Sequence, residues 1–306
     1  MASRYRRRLA AVLIVVLTAC ASAGNLTTTT TTGVATTTST TTTTSTTTST
    51  STTTTSTTTT ATTTTVPTTT TTPTLTNLGT EVLVPDGDGP FPAVVLAHGG
   101  GWVAGSPGDI RGLARYLTDA GYLTVNAGYK LSNDSPGFPQ AIDDIACAVR
   151  FAAAHPDSDG SVAMVGYSAG AHLGAIVALT GDSYAADCPW SGTGVPERFV
   201  GLAGPYEVSR LGILMYPFFG ATSNAAPGAW AAGNPQRLTD KNLLLQSLIV
   251  YGELDEFVTR DFAVNFHGAL VTSGSVSELD VVAHARHIDM AHPLIVGDLI
   301  LEWLGG

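Results

Sequence analysis

Positive charge is scarce in this sequence. Its 306 residues hold 14 lysines and arginines against 24 aspartates and glutamates, a formal net charge of −10 at neutral pH. A surface of that sign repels phosphate backbones, which excludes nucleic acid and other polyanions as partners. Cysteine is scarcer still, at three residues. No cysteine cluster exists, and the histidines fit no standard zinc spacing, so neither a metal nor another cofactor is expected. The apolar run near the start, Leu9 to Ala19, has eleven residues, too few to span a bilayer comfortably. From Thr27 to about Thr76 apolar residues almost vanish, and nearly every position is Thr or Ser. Such a tract cannot bury enough to offset the entropy of ordering, and it shows no apolar period that would make it a repeating domain.

These shortages divide the chain. Residues 1–23 read as a signal peptide: Arg4, Arg6, Arg7 and Arg8 form a basic start, and the eleven-residue run follows. The run ends in Leu17-Thr18-Ala19-Cys20, which resembles a bacterial lipobox with Cys20 as the lipidated residue. Ordinary cleavage after Ala21-Ser22-Ala23 is the alternative. Either route exports the protein, to the bacterial surface as a lipoprotein or into the medium as a secreted protein. Residues 24–76 are a Thr/Ser-rich linker, open to glycosylation, that holds the domain off a surface. Residues 77–306 are one domain's length of chain. Without the four arginines of the signal, ten basic residues face 24 acidic ones, a net −14. Cys147 and Cys188 remain in the domain. Export permits a bridge between them, and two separate buried thiols are the alternative.

Within 77–306, apolar runs alternate with helical patterns. Strands are expected at 81–85, 91–99, 122–131, 161–167, 198–204, 246–253 and 276–283. Helices are expected at 108–120, 138–155, 168–181, 259–273 and 291–304. Buried strands alternating with helices mean an α/β protein, with a mainly parallel sheet and helices on both faces. The stretch 182–246 is irregular and rich in bulky residues such as Tyr206, Phe218, Phe219 and Trp230. It forms a cap or acyl-pocket wall, or else simply packs onto the sheet.

The segment Val165 to Ala171, VGYSAGA, holds Gly-x-Ser-x-Gly at residues 166–170. Five residues alone decide nothing, because a glycine-rich chain yields the pattern by chance. Context is what gives it meaning. Ser168 falls between an expected strand and an expected buried helix, where a sharp turn presents a serine hydroxyl and the helix N-terminus points toward it. A serine needs a base, and the base needs an acid to orient it. Those partners should follow at the ends of later strands. The acid is expected at Asp255 in YGELDEFV, with Glu253 and Glu256 as neighbouring alternatives. The base is expected at His287 in VVAHARHIDMAHP, in competition with His284 and His292. Backbone N–H groups for a developing oxyanion are expected from Ala169 and from Gly100 and Gly101 of HGGGW. His98 would fix that loop, and Trp102 would contact substrate.

With those motifs in place the chain resembles the α/β-hydrolases. HGGGW with GYSAGAHL resembles the hormone-sensitive-lipase-like esterases and, more closely, the bifunctional acetyl/feruloyl esterase (BD-FAE) branch, related to kynurenine formamidase. YKLSNDSPGFPQAIDD, GLAGPYEV, GELDEFV and RHIDM also resemble segments of that branch, with Lys130 where an arginine is usual. The resemblance runs over roughly 80–305. It implies an α/β-hydrolase fold, a Ser168–His287–Asp255 triad and a small-molecule or carbohydrate ester as substrate. It also leaves open an arylformamidase-like amide hydrolase using the same residues. A non-catalytic surface-binding module is a further alternative, weighed against by the intact triad.

Overall fold

In the computed structural model, residues 78–305 are described. The expected signal, Cys20 and the whole of the Thr/Ser linker lie outside them. The chain begins with β1 (Glu81–Leu83) and β2 (Phe91–Ala97), then α1 (Arg111–Asp119), β3 (Leu123–Ala127), α2 (Gln140–Ala154), β4 (Ser158–Tyr167) and α3 (Ala169–Thr180). It continues through β5 (Arg198–Leu202), α4 (Tyr216–Phe219), α5 (Pro227–Ala232), β6 (Gln246–Gly252), α6 (Arg260–Ser273), β7 (Val276–Val282) and α7 (Pro293–Gly305). The seven strands form one sheet in the order β1-β3-β2-β4-β5-β6-β7. Only β1 runs antiparallel to its neighbour. Among the described residues, no helix is long and apolar enough to cross a membrane.

The inner strands β2, β4, β5 and β6 carry apolar, buried stretches because both faces of the sheet are covered there, whereas the edge strand β7 (VSELDVV) is half exposed and carries Glu278 and Asp280. In β2, Val95 and Ala97 join one core while Val94 and Leu96 join the other, as the period of two requires. On the first face lie α2, α3 and α6, through Ile142, Ile145, Leu173, Ile176, Phe266 and Leu270. On the second lie α1 and α7, through Leu113, Leu117, Val296 and Ile300. Helix α3 is buried along almost its whole length, which explains why its sequence carries no charge.

Most sequence expectations exceed the observed elements at their ends, although β4 begins three residues before its expected start and α7 runs one residue past its expected end. β3 stops at Ala127 instead of running to 131. From Gly128 the chain leaves the sheet. Tyr129 then places its hydroxyl on the carbonyl of His98 at 2.9 Å, and the Lys130 N–H meets Asp144 at 2.8 Å. Helix α3 starts one residue late, because Ser168 is its N-cap.

The order of the strands decides where a site can form. From β2 the chain steps outward to β3, then crosses back over β2 to reach β4. A parallel sheet opens a crevice outside the carboxyl ends of its strands at such a reversal. The loop after β2 and the turn after β4 meet there.

Cys147 of α2 is bonded to Cys188 in the loop before β5, with Cα atoms 5.5 Å apart. The bridge closes a sequence separation of 41 residues, which by loop entropy is worth about 4 kcal/mol. Replacing both cysteines by serine should lower the thermal midpoint by about 10 °C. Calorimetry of the variant beside reduced and oxidised wild type checks this.

Candidate active site

Ser168 stands on the turn between β4 and α3 with φ 54° and ψ −117°, a left-handed conformation that a non-glycine residue adopts only under constraint. The turn leaves no room on either side of it. A Cβ on Gly166 would come within 2.5 Å of Ala171 Cα, and one on Gly170 within 2.1 Å of the Ala97 carbonyl oxygen. The Ser168 N–H donates to Leu202 O at 2.9 Å, tying the turn to β5.

Asp255 lies three residues beyond β6, and its side chain is 1% exposed. One carboxylate oxygen accepts the N–H groups of Phe257 at 2.9 Å and Val258 at 2.7 Å. The other faces His287 Nδ1 at 2.8 Å. His287 Nε2 in turn lies 2.9 Å from Ser168 Oγ. A carboxylate only accepts, so Nδ1 carries the proton and Nε2 is free to accept from the serine hydroxyl. The imidazole sits between Tyr167, with ring centroids 5.3 Å apart, and Phe257, at 5.5 Å. The Tyr167 hydroxyl donates to the His287 carbonyl at 3.2 Å.

The alternatives to these residues have other employment. Glu256 accepts the His287 backbone N–H at 3.3 Å, and Glu253 accepts that of His284 at 2.8 Å. His284 is 88% exposed. His292 Nδ1 accepts the Leu294 N–H at 3.3 Å, at the start of α7. Backbone bonds from Glu253 to Val282 and from Leu254 to Ala285, 3.0 and 2.9 Å, complete a zipper between the acid loop and the histidine loop.

In the HGGGW loop, Gly100, Gly101 and Trp102 have φ of 117°, 60° and 64°. A Cβ on Gly100 would fall 2.0 Å from the Ala104 carbonyl oxygen, so only glycine fits. Among the described residues, the N–H groups of Gly100, Gly101 and Ala169 donate no loop or capping hydrogen bond. His98 is buried, stacks on Tyr129 at 4.3 Å, and donates from Nδ1 to the Gly99 carbonyl at 2.7 Å. Burial holds its pKa below the ordinary histidine value.

Trp102 departs from expectation. It was expected against substrate, but its indole is 7% exposed. It packs toward Phe218 and donates from Nε1 to His172 Nδ1 at 3.1 Å. His172 is a partner that motif reasoning missed. The signal was one imidazole in an otherwise uncharged buried helix, four residues after Ser168. Tyr129, Tyr167 and Phe257, which hold the loop and the imidazole, were missed as well, since nothing in their spacing marks them. The bulky segment after β5 packs onto the core: Phe219 stacks on Trp230 at 4.6 Å, and Phe218 lies against Phe138, Trp102 and His172. A cleft of about 470 Å³, lined by Arg198, Glu278 and Trp303 among others, opens at the first residues of β5, β6 and β7. It therefore lies at the end of the sheet opposite Ser168.

The geometry can be set beside known proteins. Residues 81–194 match the BD-FAE family model. The chain is 32% identical over 95 residues to the AB hydrolase superfamily protein C1039.03 of Schizosaccharomyces pombe, covering 29% of this chain and 28% of that protein. In space it superposes on the acetyl ester-xyloside bifunctional hydrolase of Caldicellulosiruptor lactoaceticus. The TM-score is 0.63 at 17% identity, covering 74% of this chain and 86% of that one. The fold is that of an α/β-hydrolase. Esterase LipC of Mycobacterium tuberculosis is 31% identical to this chain over 126 residues, 39% of this chain and 31% of LipC. The chain thus spans less than a third of the length of the curated relatives it matches.

The buried imidazole gives this site a pH signature in stability. Burial pushes the His172 pKa from 6.5 down to about 4. The folded state favours the neutral ring, so its contribution is full above about 6.5 and is lost as pH falls toward 4. The unfolded chain binds the proton first, and the loss amounts to about 3 kcal/mol. Urea unfolding at pH 7 and pH 4 should show wild type losing that much more stability than His172→Gln over the interval.

Proposed function

We propose that this protein is an exported serine esterase acting on carboxylic esters through Ser168, His287 and Asp255. One observation carries the reading: the unbroken hydrogen-bond chain from the Asp255 carboxylate through His287 to Ser168 Oγ, at 2.8 and 2.9 Å. Ser168 Oγ attacks the ester carbonyl carbon while His287 Nε2 takes its proton. The carbonyl oxygen becomes an oxyanion and accepts from the N–H groups of Ala169, Gly100 and Gly101. Asp255 stabilises the imidazolium and holds its tautomer. Collapse expels the alcohol, which leaves with the proton from His287 and an acyl group on Ser168. Water, deprotonated by His287, then releases the acid and restores the serine.

The substrates in this reading are small acyl or carbohydrate-linked esters. The names of the neighbours, an esterase and an acetyl ester-xyloside hydrolase, support the class. Leu254 and Ile288, next in sequence to Asp255 and His287, are half exposed and offer an apolar rim to the substrate. The Cys147–Cys188 bridge supports an oxidising compartment. The basic start, the short apolar run and Cys20 support export and a lipid anchor.

The test is hydrolysis of p-nitrophenyl acetate, butyrate and octanoate by the full chain and by Ser168→Ala. Wild type should turn over the shorter esters, and the variant should be inactive. Asp255→Asn, which removes the acceptor that fixes the tautomer, should lower kcat by about 10⁴-fold. No turnover by folded wild type overturns the reading. Faster cleavage of an N-formyl anilide than of any ester moves it to an amide hydrolase.

A further inference from the structure

We propose that His172 is a positioning residue for the oxyanion loop, acting through Trp102 and never meeting the substrate. The proposal rests on the serine-esterase reading above.

Three successive residues of the loop, Gly100, Gly101 and Trp102, are left-handed. Glycine adopts that conformation freely, but a tryptophan does not, and something must hold it there. Two bonds do so. The Trp102 carbonyl accepts the Ser132 N–H at 2.7 Å, and the indole N–H donates to His172 Nδ1 at 3.1 Å. The second bond requires one tautomer of the imidazole. His172 Nε2 lies 2.9 Å from the Gly233 carbonyl, which only accepts, so Nε2 carries the hydrogen and Nδ1 is left bare for the indole. Phe218 closes the arrangement, with ring centroids 5.5 Å from His172 and 5.9 Å from Trp102.

The position of His172 gives the bond its purpose. Ser168 caps α3, and His172 lies one turn further along, with its backbone N–H on the Ser168 carbonyl at 3.2 Å. The nucleophile and the imidazole therefore move as one piece. A rigid path runs from Ser168 along one turn of α3 to His172, across to Trp102, and back through Gly101 to the N–H groups that face the oxyanion. It sets the separation between the attacking oxygen and its stabilising donors. His172 is fully buried, so substrate cannot reach it, and its second bond joins the segment after β5 to the same frame.

The test uses the full chain, p-nitrophenyl acetate, and a trifluoromethyl ketone whose hemiketal oxyanion occupies the same donors. Wild-type hydrolysis that Ser168→Ala abolishes establishes the underlying reading, and its absence overturns both. Trp102→Phe keeps the packing and deletes the one N–H. It should lower kcat by about 10- to 100-fold with KM changed by less than about threefold, and weaken the ketone by the same factor as kcat/KM. His172→Phe should do the same, and the double variant should be no worse than the worse single one. His172→Gln, whose amide can both accept and donate, should recover most of the loss. Folded Trp102→Phe and His172→Phe proteins with wild-type kcat and ketone affinity would overturn the proposal. So would losses confined to KM or to thermal stability.

Discussion

One hydrogen bond of 2.9 Å joins His287 to Ser168 across 119 residues of chain, and the architecture serves to keep that distance. Ser168 leaves the end of β4, Asp255 follows β6 and His287 follows β7. Parallel strands in one sheet fix those three departures relative to one another, since neighbouring strands are held about 4.8 Å apart by their ladders. The two cores then clamp the sheet from either side. What the ladders cannot fix, the loops do: Tyr167 reaches from beneath the serine to the backbone of the histidine, and Phe257 closes on the imidazole from the other side.

Five non-glycine residues have a left-handed φ among the described residues, and four of them follow the carboxyl ends of strands: Trp102 after β2, Ser168 after β4, Ala203 after β5 and His284 after β7. Each such conformation costs on the order of 1–3 kcal/mol. Their concentration along one edge shows where core energy is spent on shape. The sheet and its helices carry the stability, and the edge above them is held in conformations the chain would not choose alone. Such pre-organisation suits a site that must present donors and a nucleophile without rearranging.

The inner part of the sheet was legible in the sequence because strands such as β2 and β6 are buried on both faces and read as apolar runs between turn residues, while the edge strand β7 showed instead as an alternation of apolar and polar residues. Asp255 and His287 were legible for a different reason. Each lies in the loop that follows an expected strand, which narrowed the acid to Glu253, Asp255 or Glu256 and the base to His284, His287 or His292; the structure brings Asp255 and His287 together. Trp102 misled because its motif position says nothing of which way its ring turns. That direction depends on His172 and Phe218, which are distant in sequence and carry no mark of their contact. The packing of the segment after β5 was equally hidden, since aromatic side chains suit a pocket wall and a core alike.

The zipper between the acid loop and the histidine loop also couples their positions. Glu253 and Glu256 each hold a backbone N–H of the opposite loop, and Gly252 leaves room for no more than a hydrogen against the Ala285 carbonyl. Each loop is braced internally, by the Phe257 and Val258 N–H groups on Asp255 and by the Arg286 N–H on Asp289, and the zipper holds the two in register. An insertion in one would carry the side chain it presents, Asp255 or His287, out of reach of its partner across the 2.8 Å contact. The HGGGW loop and the segment after β5 stand outside this zipper and are joined to each other instead, through the hydrogen bonds of His172 to Trp102 and to the Gly233 carbonyl.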